Sequence, residues 1–152
     1  KSFSQNNKQI KYEQIKYLVN SSVEIKNENL VNICLSGDIF ELKKILKDLS
    51  IESLNQILIL KVLGNKIRRL LSIKKQKDIY QTLDGMINNL KPRIFWKEKS
   101  LVKKQLTAWR VDELKNTIYE INNIEILCKK NPRLSGIILF NFLTRLCKDV
   151  SY

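Results

Sequence analysis

Apolar residues recur three and four positions apart along most of the chain, and nowhere does the sequence show the strict alternation of a half-buried strand. The stretch "YEQIKYLV" places Ile15, Leu18 and Val19 on one side of a helix that the Asn20-Ser21-Ser22 turn is expected to end. "NENLVNICLSG" then runs to Gly37 as a stop, and Asp38 is placed to cap "IFELKKILKDL", so the two read as a helical hairpin. Ser50 precedes Ile51 and Glu52, and from there to about residue 75 the spacing predicts one helix, ~36 Å long at 1.5 Å per residue. Leu60, Leu63, Ile67 and Leu70 form its apolar stripe, with Lys61, Arg68 and Arg69 on the far side. Its first half, "ILILKVL", is apolar nearly all round and should be buried on several sides.

Asp78 is expected to open a shorter helix carrying Ile79, Leu83, Met86, Ile87 and Leu90, and Pro92 to close it by disfavouring helix at the residue before it. In the helix that follows, a turn of 100° per residue puts Leu101, Val102, Leu106, Ala108 and Trp109 on one half and Lys97, Lys99, Lys103 and Lys104 on the other. "DELKNTIYEINNIEILCKK" starts acidic and ends on Lys129 and Lys130 before Pro132, the charge order that suits a helix dipole. Glu125 interrupts its stripe of Leu114, Ile118, Ile121 and Cys128, and reads as a core-edge carboxylate paired with a neighbouring Lys or Arg. The last helix, "LSGIILFNFLTRLCKDV", is apolar on most sides and must be central or cover a subunit contact. These segments predict an all-α fold, a compact bundle of about seven or eight helices.

Composition agrees, since 152 residues at 43% apolar content suffice for one domain with a true core, and only four Gly and two Pro interrupt it. The three cysteines, Cys34, Cys128 and Cys147, each lie in an apolar run at spacings that suit no disulfide framework, so they are expected in the core. No apolar run reaches the roughly 18 residues of a membrane span, and no leader pattern opens the chain, which places it by expectation in the cytoplasm. Lys at position 1 in place of Met suggests a piece of a longer or processed protein.

Charge changes the picture more than composition does. Residues 61 to 110 hold 14 Lys and Arg against 3 Asp and Glu, so they carry most of the net +13. Such concentration suits a surface that meets phosphates or an acidic partner better than it suits solubility alone. Histidine is absent and the four glycines are isolated from one another, which removes histidine bases, the usual mixed zinc sites and a glycine-rich phosphate loop. We therefore expect no enzyme activity, no cofactor and no metal site in this chain.

The densest charge sits in "PRIFWKEKSLVKKQLTAW", residues 92 to 109. Arg93, Phe95, Trp96, Lys97, Lys99, Lys103 and Lys104 are the candidate nucleic-acid-binding residues: a ring can stack on a base while the lysines neutralise backbone phosphates. The competing reading makes at least one of Phe95 and Trp96 a hydrophobic staple over a helix start, with the lysines simply solvated. Trp109 falls on the apolar half and is expected in the core.

The same stretch resembles the C-terminal part of the delta subunit of the bacterial DNA polymerase III clamp loader. Pro92, Ile94, Phe95, Lys97, Lys99, Gln105, Leu106 and Trp109 fit that family's pattern, while Arg93 and Trp96 depart from its second Pro and second Phe. "LSGDIFELKKIL", "LGNKIRRLL" and the Glu125 to Lys129 element resemble further family segments in the same order, over about residues 8 to 149. The resemblance implies that residues 1–22 end a preceding small helical domain or linker and that 23–152 form the all-helical collar, or oligomerisation, domain. It further implies delta-prime and gamma or tau subunits as partners through the collar, sliding-clamp contact only through a portion not in this chain, primed DNA as a ligand, no membrane, and a cytoplasmic, nucleoid-associated location. The alternative is a free-standing basic helical nucleic-acid-binding protein.

Overall fold

The computed structural model describes residues 12–48, 55–76, 82–91 and 93–150, with side chains from residue 22 onward. All regular structure among them is helical: α1 (Tyr12–Leu35), α2 (Ile39–Asp48), α3 (Gln56–Lys74), α4 (Leu83–Asn89), α5 (Lys99–Ala108), α6 (Val111–Lys130) and α7 (Ser135–Val150). Short 3₁₀ turns at Trp96–Glu98 and Pro132–Leu134 lead into α5 and α7. None of the described helices is long and apolar enough to cross a membrane.

The first hairpin forms as expected, and its chemistry is local. Gly37 takes φ 72°, a value that favours glycine. With that reversal the Gly37 N–H reaches the Cys34 carbonyl and the Asp38 N–H reaches the Ile33 carbonyl, at 3.2 and 3.3 Å, closing α1 in a Schellman motif. The Asp38 carboxylate then accepts from the Glu41 N–H at 3.0 Å and starts α2.

Three expected boundaries are corrected. The helix that was to end at Asn20-Ser21-Ser22 runs on as the 24-residue α1. Asn and Ser cost only about 0.7 kcal/mol or less each in a helix interior, and without Gly or Pro nothing there forces a stop. The long helix begins at Gln56 and not beside Ser50, because Asn55 is extended and its side chain accepts from the Leu58 N–H. The short helix begins at Leu83, where Thr82 accepts from the Gly85 N–H at 3.1 Å. Ser50, Ile51, Glu52, Asp78, Ile79 and Pro92 lie outside the described residues.

α3 is the axis of the bundle, packing against α1, α5, α6 and α7, most extensively against α6. Its expected stripe of Leu60, Leu63, Ile67 and Leu70 is buried, joined by Ile59 and Ile73, and Lys61, Arg68 and Arg69 are exposed. Full burial of a Leu or Ile is worth about 1.5 to 3 kcal/mol, so this one face is a major part of the driving force. From α7, Leu139, Phe142, Leu143 and Leu146 close the core, and from α6 Leu114 and Ile121 do. The three cysteines are buried. The Cys34 thiol donates to the Leu143 carbonyl at 3.4 Å, and its hydrogen bond with Cys147, together with burial, holds it well above the ordinary thiol range.

Candidate nucleic-acid interface

Residues 93 to 108 form a short limb laid against the bundle, and the way it is fastened decides what it can present. Ile94 is buried and supplies the apolar anchor at its start. At its end Val102, Leu106 and Trp109 are buried as expected, but Ala108 is exposed and Gln105 takes a buried place that the wheel had not assigned it. Gln105 Nε2 donates to the Asn32 carbonyl at 3.4 Å and Trp109 Nε1 donates to the Leu35 carbonyl at 2.9 Å. Both acceptors belong to the last turn of α1: the Asn32 carbonyl also accepts from the Ser36 N–H at 3.1 Å, whereas the Leu35 carbonyl, at the helix end, has no donor of its own helix. α5 is thus docked by two polar contacts at the end of another helix, of which the Trp109 indole completes the last carbonyl.

With Ile94 holding the limb, both aromatics after it face solvent. Phe95 is 57% exposed and Trp96 69% exposed, so neither is a staple buried over the helix start. Their rings lie 5.9 Å apart at 45°, and the Lys97 ammonium sits 5.3 Å from the centre of the Trp96 ring. At a surface such a cation–π contact is worth about 0.5 to 1 kcal/mol, enough to bias the lysine without burying either group.

The seven candidate residues lie along this limb but are not equivalent. Arg93, Lys97 and Lys104 are exposed and stand outside the ion pairs of the described residues. Lys103 is already paired, its ammonium bonded to both Asp84 oxygens at 2.8 Å, and Lys99 is tied to Asn88 Oδ1 at 2.6 Å. These two contacts lash α5 to α4. An exposed pair of this kind is worth about 0 to 1 kcal/mol, so Lys103 can exchange Asp84 for a phosphate at little cost.

Two further cations adjoin the limb. Lys66 and Arg69 of α3 line a cleft of about 30 Å³ with Asn32, Glu98, Leu101 and Gln105. Their spacing of three along a basic helix was the available signal; their place beside α5 follows only from the packing. Asp84 was invisible as a competitor for Lys103, since nothing local links positions 19 residues apart.

Elsewhere the charged residues behave as expected of structure. Glu125 pairs with Lys129 at 2.6 Å, and the Glu113 carboxylate accepts from the Arg110 N–H at the start of α6. Comparison with protein-family models, with characterised proteins and with solved structures gives no match to this chain.

Proposed function

We propose that the chain is the collar, or assembly, part of the delta subunit of a bacterial replicative clamp loader, and that positions 93 to 104 of its residue 93 to 108 limb meet primed DNA. The observation that carries the DNA contact is the exposed Phe95 and Trp96 pair, set among Arg93, Lys97 and Lys104 on a limb fastened at both ends. An unconstrained loop of the same composition would lose ordering entropy on binding; a fastened one loses less. The collar reading rests on the resemblance; of Gln105, Leu106 and Trp109, which carry much of it, Gln105 and Trp109 bond α5 to the end of α1 and Leu106 is buried in the core.

In this reading residues 23–152 form the collar and residues 1–22 lead in from a preceding unit. Delta-prime and the gamma or tau subunits are the partners, and the chain contributes positioning and charge to the assembly, with no catalytic step of its own. The concentrated charge of residues 61 to 110 also suits a free-standing basic nucleic-acid-binding protein. Size-exclusion chromatography with purified delta-prime and gamma subunits separates the two. A collar co-elutes with them in a fixed ratio and binds DNA weakly alone. Strong DNA binding by the isolated chain with no subunit complex would overturn the collar reading.

A further inference from the structure

We infer that the outer face of α6, continued over the turn into α7, is a docking surface for an acidic amphipathic helix of another protein. The inference stands on the surface itself and does not require the clamp-loader reading.

The inner face of α6 is committed, with Leu114, Thr117, Ile121 and Cys128 buried. On the opposite face Tyr119, Asn123, Ile126, Leu127 and Lys130 follow one another at steps of four, three, one and three, the spacing of a single helical stripe. The stripe does not end with the helix. The Asn131 backbone and side-chain N–H groups both donate to the Leu127 carbonyl, and beyond the 3₁₀ turn the Cys128 thiol donates to the Ser135 carbonyl at 3.6 Å, so the turn is tied to the helix end. Ile137 lies one turn further along, on α7. Tyr119, Ile126, Leu127, Leu134 and Ile137 make up half of the large exposed apolar side chains among the described residues. Scattered singly they would need no explanation; Tyr119, Ile126 and Leu127 share one face of α6, and Leu134 lines a hollow with Lys130 at its end, so they mark a contact surface.

Charge selects the occupant. The rim carries Lys129, Lys130 and Arg133. Glu125 satisfies Lys129, while Lys130 and Arg133 are in no ion pair with a described carboxylate. A second copy of the chain would bring the same cations and the same net +13 to the contact, so self-association is opposed. A partner whose apolar residues are flanked by Asp or Glu meets both needs. The form is set by length: Tyr119 to Lys130 spans about 16 Å at 1.5 Å per residue, three turns of helix, and beside its end lies an open hollow lined by Lys130, Pro132, Arg133 and Leu134.

The probe is a synthetic 18-residue helical peptide with Leu at steps of three and four and Glu on both flanks, titrated against the chain by fluorescence anisotropy. A second peptide carries Lys in place of every Glu. The Glu peptide should bind at least tenfold tighter than the Lys peptide. Leu127→Ser and Leu134→Ser should each weaken it at least tenfold with unchanged thermal melting, and the Lys130→Glu, Arg133→Glu double variant should reverse the preference. Lys47→Glu, at an exposed position of α2, should change neither. Equal binding of the two peptides, or Glu-peptide binding that ignores Leu127 and Leu134, would overturn the inference. So would self-association seen by sedimentation, or binding to phosphatidylglycerol vesicles, if either is abolished by Leu127→Ser.

Discussion

The indole N–H of Trp109 donates to the carbonyl of Leu35 at 2.9 Å, joining the end of α5 to the end of α1 across 74 positions of sequence. Leu35 is the last residue of α1, so its carbonyl has no partner within its own helix. The indole supplies one while its ring fills the core, and the basic limb is held at the same place.

Replacing Trp109 by Phe keeps an aromatic ring and removes that donor. A buried acceptor left without a partner costs about 1 to 3 kcal/mol, so urea unfolding of Trp109→Phe should show a loss in that range. A change within about 0.5 kcal/mol, the scatter of neutral surface substitutions, would mean that water replaces the indole at no cost.

Core and surface positions should separate cleanly. Leu63 and Leu139 are fully buried on α3 and α7, so Leu63→Ala and Leu139→Ala should each cost about 2 to 5 kcal/mol. Lys104 is exposed, and Lys104→Ala should stay within roughly 0.5 kcal/mol. Similar losses at all three in one denaturation series would show that the faces are misassigned.

The cysteines should be silent to a thiol reagent in the folded chain. Cys34 and Cys147 have no exposed surface and Cys128 is 3% exposed, and burial raises the Cys128 thiol above its ordinary range. Labelling should therefore follow opening of the bundle, its rate rising with urea. Fast labelling of any of the three in native buffer would contradict the packing of α1, α6 and α7.

Most of the helix faces were legible because a period of 3.6 repeats over several turns, and one odd residue does not hide it. Leu60, Leu63, Ile67 and Leu70 are an instance. Helix ends were less legible. Gly37 announced itself, since a positive φ leaves few residue types, whereas Asn20, Ser21, Asn55 and Thr82 share cap chemistry and only two of them serve as caps. In the candidate site, composition pointed to the basic aromatic limb. It could not reveal that Ile94 takes the buried place and leaves Phe95 and Trp96 outside, or that Asp84 holds Lys103, because both depend on how α4 and α5 meet.

The central claim, that the exposed pair meets an unstacked base while the lysines meet phosphates, is tested most directly by a salt series. With the chain mixed with delta-prime and gamma subunits, the partners of the proposed collar, affinity is measured for a primed junction and for plain duplex. Removing Lys97 or Lys104 should weaken binding to both DNAs and lower the salt slope by up to ~0.9 per lysine. The Phe95→Ala, Trp96→Ala double variant should lose about 1 to 3 kcal/mol per stacked ring on the junction, much less on duplex, with the slope nearly unchanged. Wild-type affinity of that double variant for both DNAs, at every salt concentration, would contradict the claim.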